Sequence, residues 1–185
     1  ISRMRAYHGV TIAAGSLTGL PIFHADFDLP IAGILHTDAP HYYRNGRDGE
    51  TEEEFASRLA GKLEAMIERE GADTIAAFIA EPVMGAGGVI VPPKTYFEKV
   101  QAILRHYDIA FIADEVICGF GRTGNMWGTQ TFGMQPDTIS IIDTNLRAPV
   151  FLSQAFARQL PEGHEGNIIS IIDQRVWKLN PRFFS

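Results

Sequence analysis

Cysteine and long apolar runs are the scarcest features of this sequence. Its single cysteine, Cys118, has no partner for an internal disulfide, which is usual in a reducing compartment. No run of about 18 apolar residues is present to cross a bilayer. The first residues, ISRMRAYHG, lack the basic and then apolar layout of a secretory signal. These absences predict a cytoplasmic protein without a membrane partner.

Clusters of basic residues are missing as well. The net charge is −6, and no group of lysines and arginines is present to neutralise a phosphate backbone, so a nucleic-acid partner is disfavoured. Three histidines, His24, His36 and His41, share one segment, but their irregular spacing does not predict a metal site. Both ends of the chain interrupt a pattern rather than complete one, so we expect a fragment or a fusion.

The chain is nevertheless long and apolar enough to bury a core, with 185 residues of which 45% are hydrophobic. Residues 52–70 carry apolar side chains at three- and four-residue spacing and acids in the first turn. This pattern predicts an amphipathic helix that ends at Gly71, and a second helix is predicted over 95–107.

Nearly unbroken apolar runs predict strands at 74–83, 108–116 and 137–142, whereas 20–50 has the composition of a loop. Such runs are typical of parallel strands that are covered on both faces. Strands and helices alternate along the chain. The order predicts an α/β fold with a mainly parallel sheet and flanking helices.

Acidic residues end two of these predicted strands. Glu81 ends the first, and Asp114 and Glu115 end the second. Ligands of open α/β sheets gather at the carboxyl ends of the strands, so these acids are candidate site residues. The structural alternative is that Glu81 caps a helix and that Asp114 is a satisfied strand-end acid.

Four sequence blocks occur in order along the chain: AYHGVTIAAGSLTG (6–19), AEPVMGAGGVIVPP (80–93), DEVICGFGRTGNMWG (114–128) and PDTISI (136–141). They resemble the signature blocks of class III aminotransferases, which use pyridoxal 5′-phosphate (PLP). The resemblance covers residues 1 to about 141. It implies part of the large domain of a fold type I PLP-dependent transferase, which assembles as a homodimer.

The resemblance also implies roles for individual residues. Tyr7 would stack on the pyridine ring of PLP, and Val116 would pack against the opposite face. Asp114 would pair with the pyridinium nitrogen and keep it protonated. Glu81 would lie beside the substrate and the phenol side of the cofactor, and His8 completes the Tyr7 block.

Structural alternatives exist for these residues. Tyr7 and His8 could be a loop pair packed on the sheet, and Val116 could be part of the core. Cys118 follows the second strand, but no histidine and acid are placed near it in the sequence to activate a nucleophile.

The Schiff-base lysine of the family has no counterpart in this sequence. Counting onward from Pro136 and Asp137 puts Asp143 at its position. The lysines of the chain lie elsewhere, at Lys62, Lys94, Lys99 and Lys178. The resemblance therefore implies an enzyme that transfers an amino group from an amine or amino acid to a 2-oxo acid, in a chain that we expect to be inactive.

Residues 142–185 resemble a different family, the short-chain dehydrogenases/reductases. Asn145 stands where that family begins its long central helix, and Asp173 stands where it has a catalytic serine. We therefore predict a chimera of two segments, 1–141 and 142–185. An NAD(P)-type reductase fragment and a non-enzymatic remnant remain alternatives, although no Gly-rich dinucleotide turn opens any strand.

Overall fold

Five strands and five α-helices organise residues 1–140, the part of the chain that the computed structural model describes. The strands are β1 (Ser2–Arg3), β2 (His36–Thr37), β3 (Ala77–Ala80), β4 (Ala110–Ala113) and β5 (Thr138–Ile139). The helices are α1 (Ile12–Leu17), α2 (Tyr42–Asn45), α3 (Glu52–Glu70), α4 (Tyr96–His106) and α5 (Gly128–Thr131). Short 3-10 turns at Pro21–Phe23 and Ala72–Thr74 complete the regular structure.

Every strand pairing is parallel. β2 pairs with β1, and β4 lies between β3 and β5. The backbone nitrogen of Ile1 lies 2.7 Å from the carbonyl oxygen of Ala77, and the Ile79 N–H donates to the Ile1 carbonyl at 2.9 Å. These two bonds place the two-stranded sheet of β1 and β2 beside β3, the edge strand of the three-stranded sheet β3, β4, β5. The predicted α/β fold with a parallel sheet is confirmed.

α3 has the start and stop signals that its sequence predicts. The Glu54 N–H donates to the Thr51 hydroxyl at 3.2 Å, and the Thr51 N–H donates back to the Glu54 carboxylate at 2.8 Å. This reciprocal pair satisfies free donors of the first turn. Gly71 ends the helix with a φ of 87°, which a residue with a side chain rarely adopts. The predicted helix over 52–70 is confirmed.

The core lies where α3 and α4 pack against the sheet. The ring of Phe97 on α4 lies 6.2 Å from that of Phe111 on β4, which in turn lies 5.9 Å from Phe78 on β3. Apolar side chains from the two helices complete this layer: Phe55, Leu59, Leu63, Ile67, Val100 and Leu104.

The strands are shorter than their apolar runs. β3 begins three residues later than predicted because residues 72–74 form a 3-10 turn after α3. It ends before Glu81, and Pro82 follows without an N–H group for the ladder. β4 ends at Ala113, so Val116 does not lie on the strand as predicted. The strand predicted over 137–142 is confirmed as β5, at Thr138–Ile139. The last two residues of the predicted range lie outside the described residues.

The segment 20–50, predicted to be a loop, contains β2 and α2. Ser2 pairs with His36 and Arg3 with Thr37. A two-residue strand leaves no periodicity in the sequence, so only its pairing with β1 reveals it. Within the described range, no helix is long and apolar enough to cross a membrane.

Two glycines provide a matched test of this packing. A Cβ on Gly19 would lie 2.1 Å from the backbone carbonyl oxygen of Arg3, whereas a Cβ on Gly61, in α3, would meet nothing within 4 Å. We expect Gly19→Ala to lower the free energy of unfolding by about 1–3 kcal/mol or more. Gly61→Ala should stabilise it by about 0.5–1 kcal/mol through helix propensity. Urea unfolding of both variants measures the difference, and equal effects would contradict the close approach at Gly19.

Candidate functional site

Two buried carboxylates lie side by side at the carboxyl edge of the sheet. Ala80 of β3 is in register with Ala113 of β4, so Glu81 and Asp114 follow at the same level. The Asp114 N–H still donates to the Ala80 carbonyl, at 2.8 Å. Glu81 is 3% exposed and Asp114 is 6% exposed. The register of two parallel strands therefore brings together residues that are far apart in the sequence.

The carboxylate of Glu81 is held by two backbone N–H groups. Tyr7 donates to Oε1 at 3.1 Å, and Gly85 donates to Oε2 at 3.2 Å. Burial raises the pKa of Glu81, and the Tyr7 N–H and the charge of Arg3 offset only part of that rise. Glu81 therefore holds a proton more readily than an exposed glutamate does.

Asp114 has a different environment. His8 Nδ1 lies 2.8 Å from its Oδ2, while the Val116 N–H and the Ser140 hydroxyl donate to Oδ1 at 3.1 Å and 3.2 Å. Burial alone would raise the pKa of Asp114, but the hydrogen bond and charge of His8, with the other two donors, lower it overall. The hydroxyl of Ser2 lies 3.1 Å from His8 Nε2 and supports the imidazole from behind. Asp114 is therefore kept ionised.

The neighbouring acid, Glu115, serves another purpose. It is fully buried, and its carboxylate accepts the N–H groups of Gly128 at 3.0 Å and of Thr129 at 2.7 Å. These donors belong to the first turn of α5, where a negative charge is favourable. The capping role that the sequence left open for Glu81 thus belongs to Glu115.

Val116 does not lie in the core, which was the structural alternative for this residue. It lies in the turn after β4 and is 48% exposed, so it is not core, and its backbone N–H holds Asp114. The ring of Tyr7 is half-buried and lies 5.5 Å from that of Phe23. The stacking of Tyr7 and Val116 on a cofactor ring stays a prediction, as do the other cofactor roles. Asp143 lies outside the described residues.

A loop rich in glycine joins the Glu81 side of the site to the Tyr7 block. The guanidinium of Arg5 donates twice to the carbonyl oxygen of Gly87, at 2.9 Å and 2.7 Å. A Cβ on Gly87 would lie 2.1 Å from the Arg5 carbonyl oxygen, so only glycine permits this approach. The AYHG and AEPVMGAGG segments therefore form one packed unit.

The sequence interpretation missed three supporting residues: Ser2, Arg3 and Ser140. Ser2 and Arg3 stand outside the four sequence blocks and Ser140 stands within PDTISI, and no local pattern reveals the contact that each makes. Cys118 is buried and contacts the backbone of Val83, and burial raises its pKa. A raised pKa disfavours the thiolate that a nucleophile needs. Within residues 1–140 no cluster of three or more histidine, cysteine or acidic residues is suited to a metal ion.

A second concave surface lies apart from the two carboxylates. It is an open apolar cavity of about 540 Å³ formed by α1 and the segment after it. Its lining is Val10, Ile12, Gly15, Phe23, Phe27 and Leu29. Phe23 is shared with the Tyr7 contact, but none of the lining side chains is ionisable. The chemistry of the described residues is therefore concentrated at the strand-end acids.

The site and fold define an α/β protein with a ligand site at the carboxyl edge of a parallel sheet. The sequence model of the class-III aminotransferases matches residues 1–159. The chain belongs to the class-III aminotransferase family, whose members use PLP. This confirms the predicted family, and the match extends past the predicted boundary at 141. None of the matches described below is to a reductase.

Three relatives illustrate the match. The gamma aminobutyrate transaminase 3, chloroplastic, of Solanum lycopersicum is 62% identical over 141 residues, which are 76% of this chain and 27% of that protein. A solved transaminase with L-alanine is 70% identical, with a TM-score of 0.74 over 75% of this chain and 32% of that one. A PLP-bound aminotransferase mutant from Vibrio fluvialis is 58% identical, with a TM-score of 0.72 over 75% and 30%. The chain thus spans less than a third of each relative.

The His8–Asp114 interaction predicts a pH-dependent stability. The pKa of Asp114 lies below its ordinary value of 3.8, so its ionised form stabilises the fold above that pH, and this contribution is lost as the pH falls through the lowered pKa. Asp114→Asn should cost about 1.5–3 kcal/mol at neutral pH. The difference from the unmodified chain should shrink in acid.

Urea unfolding at a series of pH values measures this difference. The control is Asp73→Asn, at an exposed acid of the 3-10 turn after α3, which should change the unfolding free energy by less than about 0.5 kcal/mol at every pH. A constant difference between Asp114→Asn and the unmodified chain would show that ionisation of Asp114 does not stabilise the fold.

Proposed function

We propose that this chain derives from a PLP-dependent transaminase, which moves an amino group from an amine or amino acid to a 2-oxo acid, and that the chain itself does not turn over. One observation carries the proposal: a buried, ionised aspartate, Asp114, is held by His8 at the carboxyl edge of the sheet beside Tyr7 and Glu81. Because the chain is less than a third of its relatives in length, the activity of the whole protein is part of this proposal.

The described residues fit the pyridine end of the cofactor. An ionised carboxylate next to a protonated pyridine nitrogen favours the charge on that nitrogen. When bound, PLP supplies an electron sink for the electrons that the substrate releases at its α-carbon. Asp114 would hold the ring nitrogen, and Tyr7 and Val116 would contact the ring faces.

The protein groups divide the remaining work. His8 orients Asp114 and, with its hydrogen bond, keeps the carboxylate ionised. Glu81 has a raised pKa and lies next to the backbone of Tyr7, where a proton-holding carboxyl group would face the phenol side of the cofactor and the substrate. The pKa values of the two acids are therefore shifted in opposite directions, which is how one site can assign different roles to two carboxyl groups.

None of the three lysines in residues 1–140 forms a hydrogen bond or an ion pair with the strand-end acids. Lys62 forms an ion pair with Asp38, and Lys99 forms one with Glu53. Lys94 lines a shallow surface depression with two glutamates. In the sequence the family's lysine position is occupied by Asp143, whose carboxylate cannot form the bond. We infer that PLP binds this chain without a covalent bond to the protein and can therefore dissociate from it.

The substrate class follows the family rather than a contact in this chain. One relative is named a gamma aminobutyrate transaminase, and one solved relative is a transaminase with L-alanine. Both names mention an amino acid, which is consistent with the proposed amine or amino acid donor, and the 2-oxo acid acceptor is part of the proposal. We also propose the homodimer of the family and a cytoplasmic location for the whole protein.

We further propose that the sequence from about Asp143 onward has a separate origin, a fragment of a short-chain reductase. Two observations support this origin: the sequence changes in character at that point, and the match to the Solanum lycopersicum transaminase covers 141 residues. The family match to residue 159 argues for a later boundary. Sequencing of the source locus across codons 138–148 tests the junction: reads that fail to span it favour an assembly artefact, whereas even coverage favours a natural fusion.

A lysine introduced at position 143 tests the proposed function. The unmodified chain should bind PLP reversibly in equilibrium dialysis and should carry no covalent PLP after borohydride treatment. Asp143→Lys should gain a borohydride-fixed PLP that mass spectrometry of the peptides locates at residue 143, because a primary amine then stands at the family's position. Asp143→Arg is the matched control, since it adds the charge without a reactive amine.

Loss of reversible PLP binding in Asp114→Ala, with binding retained in Asp73→Asn, would link the cofactor to the strand-end aspartate. PLP fixed on Lys178 or another lysine of the unmodified chain would overturn the inferred inactivity. Equal PLP binding by the unmodified chain and Asp114→Ala would contradict the proposed site.

A further inference from the structure

Arg3 is a charged side chain in the interior of the protein. It lies on β1, it is fully buried, and its Nη2 donates to the carbonyl oxygen of Glu81 at 2.7 Å. Its guanidinium carbon lies 5.7 Å from the centre of the Phe97 ring, within the range of a cation–π interaction. A cation without an ion-pair partner among the described residues thus lies beneath the Glu81 end of the site.

This arrangement is costly for the fold. Two further donors of Arg3, Nε and Nη1, make no hydrogen bond of ordinary geometry within residues 1–140. The neighbouring buried hydroxyl of Tyr96 feels the charge of Arg3, which offsets part of the rise in the pKa of Tyr96 that burial causes. Buried donors are nearly always satisfied, and an unpaired buried charge lowers stability. A methionine or leucine of similar volume would fill the space without this cost, so packing alone does not account for an arginine at this position.

The carbonyl oxygen of Glu81 does need a donor. Pro82 follows Glu81 directly and has no N–H group, so β3 cannot extend its ladder beyond this point. Arg3 supplies the bond that the sheet does not. The same two-residue strand provides Ser2, which supports His8 and through it Asp114. β1 therefore lies behind both strand-end acids.

We propose that Arg3 is a positioning residue for Glu81. Its bond to the Glu81 carbonyl holds the backbone at the end of β3, so that the Glu81 carboxylate accepts the N–H groups of Tyr7 and Gly85. The positional part of this inference stands on the contacts alone. Its meaning for catalysis, the orientation of the acid on the substrate side of the cofactor, rests on the proposed function.

Arg58 offers a closely matched control. It also donates to a backbone carbonyl, that of Asn45 at 2.9 Å, and its guanidinium lies 5.0 Å from the centre of a phenylalanine ring, Phe55. It differs in pairing with an acid, Glu50, instead of supporting a strand end. Arg3→Met and Arg58→Met therefore remove similar interactions from two separate places.

Amide hydrogen exchange on the whole chain without cofactor reads out the position of the carboxylate. The N–H groups of Tyr7 and Gly85 are bonded to Glu81, whereas those of Gly128 and Thr129 are bonded to Glu115. In Arg3→Met we expect the first pair to exchange about tenfold faster or more, with the second pair unchanged, because only the Glu81 bonds open locally. Arg58→Met should leave both pairs unchanged.

Arg3→Lys keeps the charge and a donor, so it should restore most of the protection of the Tyr7 and Gly85 amides. If Arg3→Met does not fold by circular dichroism, Arg3→Lys carries the test, and a smaller acceleration confined to those two amides is then expected. Equal acceleration at all four amides, or none, would overturn the proposal. Since no PLP is present, a failure of PLP binding leaves this result untouched, and the reverse also holds.

Discussion

The in-register pairing of β3 with β4 is the constraint on which the candidate site depends. The two strands have the same four residues, AFIA, and their last alanines, Ala80 and Ala113, are paired. Parallel strands end at one edge, so the residues that follow them must share it. A slip by one residue would separate Glu81 from Asp114 and turn alternate side chains to the opposite face. The phenylalanines in both strands oppose such a slip because they fill the core.

Three carboxylates at this edge have three different environments. Asp114 is kept ionised by His8, Glu81 is biased towards its protonated form by burial, and Glu115 caps α5. The difference does not lie in the residue types but in the donors around each one. His8 lowers the pKa of Asp114, whereas around Glu81 the effect of burial outweighs that of the backbone donors and of the charge of Arg3. In the proposed function, this division suits the edge to a cofactor that carries charge on a ring nitrogen.

The proposed function separates cofactor recognition from covalent attachment. The groups that would hold the ring nitrogen are packed into the interior and joined to β1. Asp143, which the family resemblance puts at the lysine position, lies outside the described residues. Recognition needs only a preorganised carboxylate, while turnover also needs an amine. The proposed site therefore has the groups that contact the cofactor ring but lacks the lysine that would bind the cofactor covalently.

Local pattern was sufficient for the helix over 52–70, for the parallel strands and for the acids that end them, because periodicity, capping residues and apolar runs are properties of neighbouring residues. Local pattern did not predict the lengths of the strands, the presence of β2 or the role of each acid. His8 and Asp114 are 106 positions apart, and Arg3 and Glu81 are 78 apart. A hydrogen bond across such a separation leaves no local signature in the sequence. The packing of the folded chain therefore decides that Asp114 has a lowered pKa and that Glu115 caps a helix.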